Sequence, residues 1–205
     1  MAKPNREDAV AVAVPIRSFS GGKERLSSTL SVGKRSALAR RMSDNLLRAV
    51  QSFHVVVVTN DAEVQDWADA CGAHVLSPEV TGLNAAAEAA HAWADAHNKT
   101  QLVIVHSDVP QPRALPTICN FRGFTIVPDH RRDGTNVLSI PVDISFRFNY
   151  GTHSFPRHLQ EAASAAQAHN IPLRVVHHHE LGLDLDTPLD LTHPLASLTT
   201  KDSTS

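Results

Sequence analysis

The N-terminal part of the chain reads Ala9-Val10-Ala11-Val12-Ala13-Val14-Pro15-Ile16-Arg17-Ser18-Phe19-Ser20-Gly21-Gly22-Lys23-Glu24-Arg25. Its first eight residues are apolar without interruption and rich in valine, which marks a strand covered on both faces. Such a strand belongs inside a parallel sheet, and the small-residue loop behind it, carrying Lys23 and Arg25, is a strand-to-helix connection. The unit recurs downstream. Residues 55–58 and 102–105 read as further buried strands, and 74–76 as a short one. Residues 34–50 read as a helix, because Leu38, Met42, Leu46 and Val50 fall on one face. Residues 62–71 form a second helix stopped at Gly72, and 84–98 an alanine-rich third. This alternation predicts an α/β domain with a mostly parallel central sheet and helices on both faces.

After Asn120 the rhythm changes. Residues 124–127 and 137–142 are strand-like and flank the polar loop 128–136; a helix at 155–169, a strand at 173–176 and an acidic turn at 181–191 follow. One domain over residues 9–192 is expected, with a short extension at 1–8 and a polar tail at 193–205. Residues 197–205 are expected to be disordered.

The 205 residues carry 19 Lys and Arg against 21 Asp and Glu, a net charge of −2, which argues against non-specific nucleic-acid binding. No apolar run approaches the roughly 18 residues that span a bilayer. No secretory signal pattern opens the sequence. Cys71 and Cys119 match no metal or redox spacing and read as buried free thiols. A cytoplasmic location is expected.

Ligands of open α/β sheets bind beyond the carboxyl ends of the strands. Three polar groups fall at such ends: Gly21-Gly22-Lys23, Thr59-Asn60-Asp61 and Ser107-Asp108. The glycine loop, with its cations, suits phosphate, although it is no Walker loop. Asp184-Leu185-Asp186 sets two carboxylates two residues apart, so extended backbone would point both the same way. With Asp108 they would make a hard-oxygen site for Mg²⁺. The same stretch also reads as a solvated turn in which Asp186 or Thr187 caps a helix that begins at Pro188. His177-His178-His179 lacks the spacing of a zinc site and reads as structural or solvated. Trp67 and Trp93 read as core anchors. Arg131 and Arg132 read as a solvated pair, with anion clamping as the other possibility.

Several segments together resemble one family. Val14-Pro15-Ile16-Arg17 with Gly22-Lys23-Glu24-Arg25-Leu26 is similar to its opening, and Ser107-Asp108-Val109-Pro110 to its D-[L/V]-P strand end. Pro128-Asp129 with Asp133-Gly134-Thr135-Asn136-Val137-Leu138, and Phe148-Asn149-Tyr150-Gly151-Thr152-His153-Ser154-Phe155 with His158, resemble its next two motifs. Asp184-Leu185-Asp186-Thr187-Pro188-Leu189-Asp190-Leu191 matches its D-[I/L]-D-T-P-x-D-L. The chain is thereby similar, over about residues 10–191, to the phosphoenolpyruvate/2-phospho-L-lactate guanylyltransferases of coenzyme F-420 biosynthesis. These are relatives of the molybdenum-cofactor guanylyltransferases. Arg17 stands where a lysine is commoner, and His106-Ser107 where a small residue is.

The resemblance implies a single-domain Rossmann-like nucleotidyltransferase fold, GTP as donor and Mg²⁺ as cofactor. It implies that Asp108, Asp184 and Asp186 bind metal and that Thr135, Gly151 and Ser154 bind the phosphorylated three-carbon acid. Gly82 and Asn84, with Gly22 and Lys23, are expected at the nucleotide, and Lys23 and Arg25 at the triphosphate and departing pyrophosphate. The expected reaction joins an acceptor phosphate oxygen to the α-phosphorus of GTP, and needs no protein nucleophile. Phosphoenolpyruvate is the expected acceptor, with 2-phospho-L-lactate and 3-phosphoglycerate as alternatives. A nucleotide-binding module without catalysis is the reading from another class. Neither nucleic acid nor membrane is expected as a partner, and a homodimer is left open.

Overall fold

The computed structural model describes residues 7–196. Seven strands form one sheet: β1 (Val10–Pro15), β2 (His54–Val58), β3 (His74–Leu76), β4 (Gln101–Val105), β5 (Phe124–Pro128), β6 (Thr135–Pro141) and β7 (Leu173–Val175). Five helices connect them: α1 (Val32–Ala49), α2 (Ala62–Ala70), α3 (Leu83–Ala96), α4 (Leu115–Cys119) and α5 (Ser154–His169). The strand order is β3-β2-β1-β4-β6-β5-β7. All pairings are parallel except those of β6, which runs antiparallel to β4 and to β5. The chain therefore leaves β1 toward β2 on one side and reaches β4 on the other. That reversal opens a crevice beyond the carboxyl ends of β1 and β4, where ligands of such sheets bind.

Side-chain alternation along β1 sorts the two layers. Val10, Val12 and Val14 join one buried cluster with residues of α1, α2 and α4. Ala11 and Ala13 face the other way, into a cluster with Ala86, Ala87, Ala90 and Ala94 of α3. Alanine on both surfaces lets the backbone of α3 come close to the sheet, which sets the start of that helix at the mouth of the crevice. Helix α5 covers β5, β6 and β7 on that same side, through Ala162 and Ala166. A third cluster, of Leu26, Leu38, Met42, Leu183, Leu185 and Ala196, ties the acidic turn to the loop after β1.

Helix starts follow ordinary chemistry. Ser31 Oγ accepts from the Lys34 N–H ahead of α1, and Asp61 Oδ1 from the Val64 N–H ahead of α2. Helix α2 ends in the expected way, with Cys71 as its cap and Gly72 at φ 74°.

Three expectations need correction. Cys119 is buried, but Cys71 is exposed at the end of α2. The segment after Asp184 holds no helix starting at Pro188. Instead the Asp190 carboxylate turns back and accepts from the Asp186 N–H, the Thr187 N–H and the Thr187 hydroxyl at 3.1, 2.6 and 2.8 Å, ahead of a single 3-10 turn. The folded chain also passes residue 192, since Ala196 is fully buried. The expectation of disorder at 197–205, and most of the 1–8 extension, lie outside the described residues. No helix among the described residues is long and apolar enough to cross a membrane.

Candidate active site

A cleft of about 630 Å³ opens at the switch point. Pro15 and Arg17 line it behind β1, Thr59 and Asn60 behind β2, Gly82 at the start of α3, and His106, Ser107 and Asp108 behind β4. Gly82 precedes α3 at φ 115° with open space where a side chain would point, so its glycine serves conformation rather than crowding. Arg17 is exposed in this cleft, whereas Gly22, Lys23 and Arg25 are not among its lining.

Lys23 lies elsewhere, for a readable reason. It is Lys23, and not a glycine of the loop, that takes the left-handed conformation, at φ 58°. Its ammonium turns in among the acids and donates to Leu185 O at 2.8 Å and Asp186 Oδ1 at 3.3 Å, with Asp108 Oδ2 at 3.5 Å. The side chain is only 8% exposed. Burial opposes ionisation of Asp108, yet Lys23 and His106 beside it, and a backbone N–H, hold its carboxyl below the usual range. Arg25 is exposed, and no hydrogen bond or ion pair holds it among the described residues.

The three metal-site candidates separate into two roles. Asp186 is Lys23's partner. Among the described residues no three acids, histidines or cysteines stand grouped as they would be around one ion. Two oxygens do stand ready: Asp108 Oδ1 and Asp184 Oδ1 are buried with no hydrogen-bond partner. Burial, then the charges of Asp108, Asp186 and Asp129, push the Asp184 carboxyl up to about 6. His130 Nδ1 lies 3.8 Å from Asp184 Oδ1. Main-chain bonds join these loops, from Leu185 N–H to Asp108 O at 3.3 Å and from His130 N–H to Gly182 O at 2.8 Å. A pair of unpartnered carboxylate oxygens is a fit for Mg²⁺, which takes one or two protein carboxylates and completes its shell with water and substrate phosphates.

Thr135 and Ser154 meet beside His158, and Gly151 joins them through the Ser154 N–H. His158, fully buried, accepts from the Asn149 N–H at Nε2, 3.0 Å. That fixes its proton on Nδ1, which donates to Thr135 Oγ1 at 3.1 Å. Burial, then His106, push its pKa down to about 4, so it is neutral at pH 7. Ser154 Oγ donates to Thr135 Oγ1 at 3.5 Å, and the Ser154 N–H to Gly151 O at 3.1 Å. Ser154 thus opens α5 without capping it, and Gly151 holds φ 116° in the exposed turn before it. Asn84 is likewise committed: its Oδ1 accepts from the Tyr150 N–H at 2.7 Å and its amide donates to Tyr150 O at 3.4 Å. It fastens α3 to the segment that carries Tyr150.

The remaining candidates stay outside the site. His178 Nδ1 accepts from the N–H groups of Glu180 and Leu181, Arg131 and Arg132 are exposed, and Trp67 is buried with its indole N–H on Asp44.

The family model described as guanylyl transferase CofC like matches residues 10–199. The chain belongs to this family. Curated relatives include a phosphoenolpyruvate guanylyltransferase of Rubrobacter xylanophilus, 31% identical over 198 residues, covering 92% of this chain and 95% of that one. A protein of the same name from Sphaerobacter thermophilus is 30% identical over 187 residues, covering 87% and 88%. A 2-phospho-L-lactate guanylyltransferase of Methanosphaera stadtmanae is 26% identical over 190 residues, covering 89% and 82%. Among solved structures, a putative nucleotide-diphospho-sugar transferase from Desulfovibrio desulfuricans superposes with a TM-score of 0.71 at 14% identity, covering 96% of this chain and 90% of that one. The guanylyl transferase family member described here is a nucleotidyltransferase, and its fold is that of this superfamily.

Proposed function

We propose that the chain transfers the guanylyl group of GTP to the phosphate of phosphoenolpyruvate, in coenzyme F-420 biosynthesis, with Mg²⁺ as cofactor. The observation that carries this reading is the pair of unpartnered oxygens on Asp108 and Asp184, with Asp108 in the lining of a nucleotide-sized cleft. The triphosphate lies in the cleft with Arg17 as its free cation. An acceptor phosphate oxygen attacks the α-phosphorus, the bond to the bridging oxygen of the β-phosphate breaks, and pyrophosphate leaves. The acceptor phosphate is already ionised at pH 7, so no side chain has to remove a proton. When bound on Asp108 and Asp184, Mg²⁺ would draw charge from the phosphate oxygens of both substrates. Lys23 keeps the carboxylates of Asp108 and Asp186 together, and its ammonium turns toward phosphate when substrates bring their own charge. Catalysis rests on alignment and charge neutralisation.

Phosphoenolpyruvate is favoured over 2-phospho-L-lactate by the names of the bacterial relatives at 30–31% identity, against 26% for the methanogen protein. Pure protein with GTP and Mg²⁺ is given phosphoenolpyruvate, 2-phospho-L-lactate or 3-phosphoglycerate, and pyrophosphate is measured. Release with phosphoenolpyruvate at the highest kcat/KM is expected. No release with any of the three removes the reading.

A further inference from the structure

Two polar groups between the cleft and the Thr135 side remain without a role. The Tyr150 hydroxyl is buried and has no hydrogen-bond partner, and the same is true of His106 Nε2. Tyr150 is 8% exposed, and Asn84 pins its main chain from both sides. Its ring meets His106 at 5.5 Å between centroids and His158 edge-on at 4.6 Å. Burial drives the phenol well above its ordinary pKa, so it is a donor at every working pH. His106 follows β4 directly, its N–H bonded to Asn136 O at 3.0 Å, and lines the cleft two residues before Asp108. Leaving a buried polar group unmatched is costly, so two such groups on rings 5.5 Å apart ask for an occupant.

We propose that the Tyr150 hydroxyl and the His106 imidazole together hold the carboxylate of the acceptor. The inference rests on the reading of the site as one for a phosphorylated small acid, and it names the substrate class as one carrying a carboxylate beside the phosphate. A carboxylate offers acceptor lone pairs only, which matches a phenol O–H and an imidazole N–H. The place is right as well. Tyr150 touches both His106, two residues before Asp108 at the phosphate end, and His158, which bonds Thr135. The nucleotide cleft extends away from both, toward Asn60 and Gly82.

The test reads binding, apart from turnover. Wild-type, Tyr150→Phe, His106→Phe and His106→Asn proteins are titrated calorimetrically in Mg²⁺ buffer with phosphoenolpyruvate, with glycerol 3-phosphate and with GTP. Tyr150→Phe and His106→Phe are expected to weaken phosphoenolpyruvate about tenfold, with part regained in His106→Asn, whose amide restores a donor. GTP and glycerol 3-phosphate, which lacks the carboxylate, should bind Tyr150→Phe as they bind wild type. The unfolding midpoint of Tyr150→Phe should not fall, since no bond is lost in the free protein. Unchanged phosphoenolpyruvate affinity in Tyr150→Phe overturns the proposal, as does an equal loss for glycerol 3-phosphate. A lowered midpoint with unchanged affinity shows that phenol and imidazole serve each other. If wild type binds phosphoenolpyruvate but releases no pyrophosphate, the guanylyl-transfer reading fails while the carboxylate site stands. If wild type binds none, both fall.

Discussion

Asp184 keeps one carboxylate oxygen buried without a donor, in the company of Asp108, Asp186 and Asp129. Such a charge opposes folding. Its carboxyl titrates near 6 in the folded protein and near 3.8 when unfolded, so the folded state holds the proton more tightly between those values. The contribution to stability is therefore complete below about pH 4 and is lost as pH rises through 6. Asp184→Asn removes the charge while keeping the shape. At pH 7.5 it should stabilise the free protein by about 1–2 kcal/mol, a figure reduced for the partial exposure of the side chain, and at pH 3.5 by nothing. Guanylyl transfer should fall about a hundredfold or more. Urea unfolding at the two pH values, beside a pyrophosphate assay, checks this; a variant less stable at pH 7.5 would contradict it. The sequence made Asp184 and Asp186 visible as a pair, but not that Asp186 would take Lys23 as an ion-pair partner. Spacing within a tripeptide says nothing about Lys23, which arrives from 162 residues away.

Helix α3 lies close to β1 because Ala11 and Ala13 face Ala86, Ala87, Ala90 and Ala94. A larger side chain at that contact has nowhere to go. Ala90→Leu should cost about 1–3 kcal/mol by overpacking, and should lift the start of α3 enough to raise the KM for GTP severalfold. Ala92→Leu, on the exposed side of the same helix, should change neither. Thermal unfolding and GTP saturation curves separate the two variants. A stable Ala90→Leu protein with normal GTP kinetics would mean the gap is looser than the alanines imply. The elements themselves were largely legible, since runs such as Val55-Val56-Val57-Val58 and the four-residue period of α1 are strong local signals. Helix α4 was not foreseen, being five residues with Pro116 inside. Nor was the reversed direction of β6, because an apolar strand reads the same either way and only its neighbours decide.

Across the molecule, the half built on β1 to β4 with α3 meets the half built on β5 to β7 with α5 along the antiparallel β4–β6 ladder, and a few side-chain ties reinforce that seam. Asn84 to Tyr150 is one. Asn84→Ala should consequently raise the KM for the acceptor about as much as that for GTP, by roughly tenfold each, since two hydrogen bonds are lost at a shared seam. A change confined to GTP would return Asn84 to the nucleotide. Initial-rate kinetics with each substrate varied in turn decides it. The sequence marked Asn84 through its motif, but a side chain that braces one half against the other cannot be told from a ligand contact without the fold. The bond from Lys23 to Leu185 is another such tie, and it has a consequence in time. A chain emerging from the ribosome can complete the half built on β1 to β4 long before the acidic turn has been made. Until residue 185 arrives, Lys23 lacks its main-chain partner and Asp108 lacks the loop that docks on it. Competence thus comes late in synthesis, and a chain broken off before that turn should be folded in part but catalytically mute.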